Sequence, residues 1–237
     1  MAARSSWASI DLVRQRNVRR IRSEVFSALE SMSDVPDVLS VDTISTEPAR
    51  QMLIDIYAKT GRPFAMHTYG SFKKNLFDED QWKELITSYI DVFGVDKITS
   101  ITNTTKKYLK AYIAEAITNN YTIEEIQAEV KKKMRVINRT RALMIARTEV
   151  VGASNLGMMK GAEMTGLPLW KKWVSTVDNR TRRATYDHLG MNGVEVSQND
   201  LFRNPELNGD EMAYPGDMTA SAGNVINCRC ALAFTVK

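Results

Sequence analysis

A chain of 237 residues holds one large domain or two small ones, and 43% hydrophobic with 25% charged residues predicts a folded core rather than disorder. A net charge of +4 and a pI near 9.0 permit contact with nucleic acid or an acidic partner without demanding it. No segment approaches the length of a membrane span, no apolar run follows Met1 to mark a secretory signal, and two cysteines one residue apart make no disulfide framework; the expectation is a reducing cytoplasm.

Leu12, Val13, Val18, Ile21, Val25, Phe26 and Leu29 recur at helical spacing and predict a helix over 10–32, basic in its first half through Arg14, Arg16, Arg19, Arg20 and Arg22. A solvated face is the preferred reading of these arginines, and a docking site for DNA or an acidic protein the sharper one. Ser33 to Asp37 breaks the helix. A second helix is expected over 46–59, with Glu47 and Pro48 in its first turn, followed by a loop around His67 marked by Gly61, Pro63 and Gly70. Further helices are expected over 80–93, after Thr104, and from a capping box at Thr122 and Glu125 to Lys131-Lys132-Lys133, where positive charge suits a carbonyl end. The next, over 138–164, is apolar around most of its circumference. Within it Arg147 and Glu149 point in nearly opposite directions and cannot pair, so Glu149 needs a partner from elsewhere, Arg180 and Arg229 leading.

After Pro168 the period changes. A strand is expected over 169–177 with Trp173 as a packing residue, then a turn at Asp178-Asn179, a short helix over 181–189, and a tight turn at Asn192-Gly193 before a strand at 194–196. A long polar loop follows over 199–218. A final strand over 225–236 places Ile226, Cys228, Cys230, Leu232 and Phe234 on one face.

Two chemistries compete for the cysteines. Neighbours on one face of a straight strand stand about 6.5–7 Å apart, too far to share a zinc ion without a bulge. With a bend, His188, Cys228, Cys230 and a carboxylate, Asp178 or Asp187, would complete four ligands; otherwise the cysteines are small core hydrophobes, the preferred reading, with no cofactor. Arg180, Arg182, Arg183, Asp187 and His188 lack an accompanying nucleophile and read as an ion-pair network. No phosphate-binding loop, zinc ribbon or nucleophile elbow is visible, which lowers the expectation of an enzyme.

Ala146-Arg147-Thr148-Glu149-Val150, Trp173, Asp178-Asn179-Arg180 with His188, Tyr214-Pro215-Gly216-Asp217 and Ile226-Asn227-Cys228-Arg229-Cys230 together resemble the phage head morphogenesis family, minor head proteins similar to phage Mu protein F. The resemblance runs from about Thr99, with Thr102 to Thr105 similar to the usual lead-in, to Ala231; here Arg183 to Asp187 lengthens the interval before the histidine. It implies a division into a helical N-terminal region, 1–98, and a phage minor head protein domain, 99–237. It also implies a minor capsid protein of a tailed bacteriophage, acting at the portal or inside the head in assembly or in DNA packaging and ejection. The implied partners are the portal protein and other head proteins, with double-stranded DNA through the basic N-terminal helices and no membrane. The implied location is the virion head, and host cytoplasm during assembly. Some bacterial toxins carry a similar module for delivery.

The competing readings are enzymes carried in the virion. Arg147-Thr148-Glu149 has the arginine that opens the ADP-ribosyltransferase pattern, but the only Gln-x-Glu spacing, Gln127-Ala128-Glu129, lies upstream on a polar helix. A nuclease lacks its carboxylate cluster. The expected architecture is α+β: a helical N-terminal region, then a small antiparallel sheet with a short helix packed on a long helix.

Overall fold

The computed structural model describes residues 7–34, 38–72 and 79–236; Val35 to Asp37 of the expected first break lie outside them. Helices α1 (Trp7–Ser33), α2 (Glu47–Gly70), α3 (Glu79–Phe93), α4 (Val95–Thr118) and α5 (Ile123–Glu163) precede β1 (Leu169–Val174), β2 (Glu195–Ser197), a four-residue helix α6 (Ala222–Val225) and β3 (Ala231–Val236). The architecture is α+β, as expected from the change of period at Pro168.

Helix α5 is the axis. Its capping box forms as the sequence predicts: Glu125 N–H donates to Thr122 Oγ1 and the Glu125 carboxylate accepts from Thr122 N–H at 2.7 Å. The helix then runs 41 residues without interruption. The two helices expected here are one, because no glycine or proline occurs before Gly152. Lys131-Lys132-Lys133 therefore sits mid-helix rather than at a carbonyl end; Lys133 pairs with Glu115 of α4 at 2.6 Å. Asn138, expected near a helix start, is buried mid-helix and donates to Glu30 and Ser33 of α1.

The expected loop at 61–70 is instead the second half of α2, which continues through Pro63 and leaves His67 on an exposed helical face. Gly61 serves close approach rather than a turn. A Cβ on Gly157 of α5 would lie 2.1 Å from the Gly61 carbonyl oxygen, so the two glycines let α2 and α5 touch backbone to backbone. Helix α4 likewise begins at Val95, directly after Gly94 ends α3, about two and a half turns before the Thr104 boundary expected from sequence; the division at 98/99 falls inside it.

The sheet has the order β2-β1-β3, antiparallel throughout. Trp170 pairs with Ser197 and Trp173 with Leu232; Leu169, Lys171 and Trp173 form the buried row of β1. The Asn192-Gly193 turn forms as expected, with Gly193 at φ +90° and its N–H donating to Trp173 O. Two expectations fail. Residues 181–189 are a succession of turns rather than a helix, and β3 starts at Ala231, so neither cysteine lies on a strand. The chain reverses at Asn227, which adopts φ +55° after α6, and this bend removes the strand geometry that would have held the sulfurs apart.

One core runs from Ile21, Val25 and Leu29 of α1 through α2, α3 and the second half of α5 to Trp173, Cys228, Cys230 and Leu232. A smaller cluster joins α4 to the first half of α5 through Leu109, Ile113, Val130 and Met134. No described helix is long and apolar enough to cross a membrane.

Candidate functional site

The reversal at Asn227 brings three side chains from two distant segments together. His188, at the end of the turns after β1, is buried edge-on against Trp173, with ring centroids 5.3 Å apart. Its Nδ1 lies 3.6 Å from the Cys228 sulfur and 3.6 Å from the Cys230 sulfur. The three ligating atoms all fall within 4.8 Å of one another, and all three residues are buried. Asp178 and Asp187, the carboxylates expected to join them, are engaged elsewhere. Asp187 Oδ1 accepts from the N–H groups of Leu189 and Gly190, and Asp178 from Arg229 and the Arg180 N–H.

The opposite edge of the imidazole is fixed by a residue the sequence reading missed. Nε2 of His188 is 3.0 Å from Asn224 Oδ1. The amide nitrogen of Asn224 donates to Leu207 O at 2.8 Å and to Asp210 Oδ2 at 2.7 Å, so its oxygen has to face the histidine. Nε2 is then the protonated nitrogen, and Nδ1 presents its lone pair to the two sulfurs. Hydrogen bonding from Cys230, helped by the fields of Arg182 and Arg14 and opposed by burial, holds Cys228 down to about 7. The same contact and burial push Cys230 well up.

Around this cluster the polar framework is continuous. Arg14 was expected to be solvated with its neighbours. Arg16, Arg19, Arg20 and Arg22 are exposed, but Arg14 is 2% exposed and occupies the buried stripe of α1, while Leu12 and Val13 face outward. Its guanidinium donates to Ser154 Oγ, Asn155 Oδ1, Arg229 O and Cys230 O. Burial pulls Arg14 down to about 10, so it remains a cation at neutral pH. Asn155 also donates to Pro215 O at 2.6 Å and Cys230 O at 3.0 Å. A polar Ser154-Asn155 pair inside the apolar stretch 150–159 was the one sequence signal for this node.

Arg229 closes on Asp178 at 2.5 Å, and this pair, with Arg180 farther out at 3.5 Å, keeps the Asp178 carboxyl well below its usual range. Arg147 faces a groove of about 560 Å³ between α1 and α5, whose walls also present Arg14, Arg19, Arg180 and Arg229 against the single carboxylate of Asp11. That wall is cationic and open to solvent.

Arg147 and Glu149 do point apart, as their spacing requires. Glu149 is buried and paired, but not with Arg180 or Arg229. Its carboxylate meets Lys97 of α4 at 3.0 Å and accepts from Tyr57 of α2 at 3.2 Å. The arginines of the C-terminal module lie across the helix from it, and the early start of α4 brings Lys97 within reach. Thr148 Oγ1 accepts from Asn227 N–H at 3.1 Å and so pins the reversal to α5. Pro215, Gly216 and Asp217 form a loop braced on the same helix. Gly216 adopts φ +81° against Gly152, and Asp217 accepts from Ala213 N–H and from the Thr219 backbone and hydroxyl. The residues singled out by sequence therefore divide into a His-Cys-Cys cluster, a cationic groove and a set of braces that hold both to α5.

The family model described as "Phage Mu protein F like protein" matches residues 107–233. The chain is 34% identical over 93 residues to a protein of Enterococcus faecalis (strain ATCC 700802 / V583) named NAD(+)--arginine ADP-ribosyltransferase EFV, the match covering 38% of this chain and 18% of that protein. The chain thus spans less than a fifth of the length of this curated relative. No solved structure matches it.

Proposed function

The chain belongs to the phage Mu protein F-like family of head morphogenesis proteins, and from that membership we propose that it is a minor head protein acting at the portal or inside the head, in assembly or in DNA packaging and ejection. The observation that carries this reading is the family match from the middle of α4 into β3. The geometry supports it in kind. The motif residues Thr148, Asn227 and Pro215 tie loops to one long helix and Asp217 closes its own loop, which makes a rigid body for docking rather than an open catalytic cleft.

The contact surface in this reading is the α1–α5 groove together with the exposed Arg16, Arg19, Arg20 and Arg22 of α1. Portal and other head proteins are its protein partners, and packaged duplex DNA meets the arginines through phosphate. Co-expression with the portal and other head proteins of the same virus, followed by sedimentation of procapsids, tests the reading. The chain is expected to sediment with them, and Arg19→Glu with Arg147→Glu to weaken its incorporation. A chain absent from procapsids under all conditions removes the proposal.

A second reading has one observation in its favour, the name of the Enterococcus faecalis relative. In this chain the glutamate of Arg147-Thr148-Glu149 is occupied by Lys97 and Tyr57. Release of nicotinamide from NAD by the purified chain, lost in Arg147→Ala, would move the answer to that class.

A further inference from the structure

We propose that Nδ1 of His188 and the sulfurs of Cys228 and Cys230 hold one divalent metal ion, zinc by the donor set, with its fourth position given to a water molecule or small anion in the adjoining cavity. Three independent features of the site lead there.

The first is distance. A zinc ion takes sulfur at about 2.3 Å and imidazole nitrogen at about 2.0–2.1 Å, which for a tetrahedron sets the N-to-S edge at about 3.6 Å. Both Nδ1-to-sulfur distances are 3.6 Å. The Cys230 sulfur also lies 3.7 Å from Ser175 Oγ, an acceptor of its own, so its equal approach to Nδ1 is not needed for a thiol hydrogen bond and fits a centre shared with Cys228.

The second is the tautomer. Leu207 O and Asp210 orient Asn224, Asn224 takes the Nε2 proton of His188, and Nδ1 is left bare toward the sulfurs. A metal-binding histidine is held in this way, its remote N–H donated to an oxygen that fixes the ring.

The third is charge and space. Two thiolates and a zinc ion sum to zero, so Arg14, Arg182 and Arg229 meet no net positive charge in the filled site. Binding releases whatever protons the thiols carry. Nitrogen and sulfur donors select zinc over magnesium or calcium. Thr176, Thr181 and Arg180 line a cavity of about 130 Å³ that also reaches His188, Cys228 and Cys230, leaving room for a fourth ligand from solvent. The filled site would tie the turns after β1 to the reversal before β3, and through Arg14 to α1 and α5.

The test uses the full chain purified without a metal-affinity tag, loaded with equimolar zinc and freed of excess by gel filtration. Elemental analysis is expected to find one zinc per chain, unchanged in His67→Ala and lost in Cys228→Ser, Cys230→Ser and His188→Ala. Asn224→Ala is expected to bind about 10–100-fold more weakly. Should the cysteine variants fail to fold, titration of the wild-type chain with cobalt decides: a thiolate-to-cobalt charge-transfer band with tetrahedral visible absorption supports the site, and its absence overturns it. Full zinc content in Cys228→Ser, no zinc in the wild type, or a mass lower by two hydrogens from a disulfide between the cysteines would each overturn it.

Discussion

Nη2 of Arg14 donates to Oδ1 of Asn155 at 2.7 Å, joining the first helix to the middle of the longest one. The same two side chains also hold the carbonyl of Cys230 from both sides. A buried guanidinium whose partners are neutral oxygens depends on all of them, because each one lost leaves a charged donor unsatisfied in a poorly polarisable setting. Asn155→Ala strips partners from Arg14, Pro215 O, Cys230 O and Leu232 N–H together. It is expected to lower stability by about 2–4 kcal/mol, while Arg16→Ala on the exposed face stays within about 0.5 kcal/mol. Urea unfolding midpoints compare the two, and equal midpoints would show that the node contributes nothing.

The Glu149 pair makes a prediction that separates observed from expected partners. Its carboxylate and the Lys97 ammonium are largely withdrawn from water, at 4% and 16% side-chain exposure. Removing one side of such a pair typically costs about 3–5 kcal/mol. Double-mutant cycles are expected to give a coupling of about 0.5–3 kcal/mol between Glu149 and Lys97, and nothing measurable between Glu149 and Arg229. The opposite ranking would mean that the helix is rotated from its position here.

The change of period at Pro168, the capping box at Thr122 and the Asn192-Gly193 turn were legible in the sequence because each is a local preference that packing left alone. What was not legible depended on tertiary contact. Gly61 reads as a breaker in isolation, yet inside the fold its missing Cβ leaves room for the Trp82 ring and the Ala153 carbonyl, and its backbone fills the notch at Gly157. Arg14 is indistinguishable by composition from Arg16, and only the phase of the buried stripe, Ile10, Arg14, Ile21, Val25, separates them. The cysteines alternate with polar residues as a strand would. One left-handed residue, Asn227, reverses the chain just before them, and the alternation alone carries no sign of it. His188 was visible as a candidate ligand, whereas Asn224 was not, because an asparagine between glycine and valine reads as a loop residue.

Lys171 gives a pH dependence whose sign is fixed by its burial. It lies in the inward row of β1, 1% exposed, with Nζ 2.9 Å from Ala213 O, and burial holds it down to about 8 from an ordinary 10.5. Between those values the unfolded chain binds the proton more tightly, so this residue makes stability rise with pH; below the folded value its cost is carried in full. The gain between about pH 7 and about pH 9.5 is on the order of 2 kcal/mol. Lys171→Met removes that slope, and the difference in melting temperature between the two chains should narrow as pH rises. A difference constant across that range would mean that burial does not hold the folded-state Lys171 below its ordinary value.

The last prediction concerns whether 99–237 stands alone. The family match begins inside α4, but the surfaces that α5 presents there are closed by residues before it. Tyr57 completes Glu149, the Gly61 and Ala65 backbones fill the notches at Gly157 and Gly161, and Arg14 satisfies Ser154 and Cys230 O. Without α1 and α2 the inner face of α5, including Ala146, Val150, Ala153 and Leu156, would meet water along several turns, at about 25 cal/mol for each Å² of apolar surface uncovered. A fragment of residues 99–237 is therefore expected to keep helical circular dichroism but to lose a cooperative thermal transition and fixed near-ultraviolet signals from Trp170 and Trp173. Adding the first 98 residues as a separate chain should restore both, if slowly. A fragment that melts cooperatively on its own, within a few degrees of the full chain, would place a true domain boundary inside α4 and make the N-terminal helices an accessory to the fold rather than half of its core.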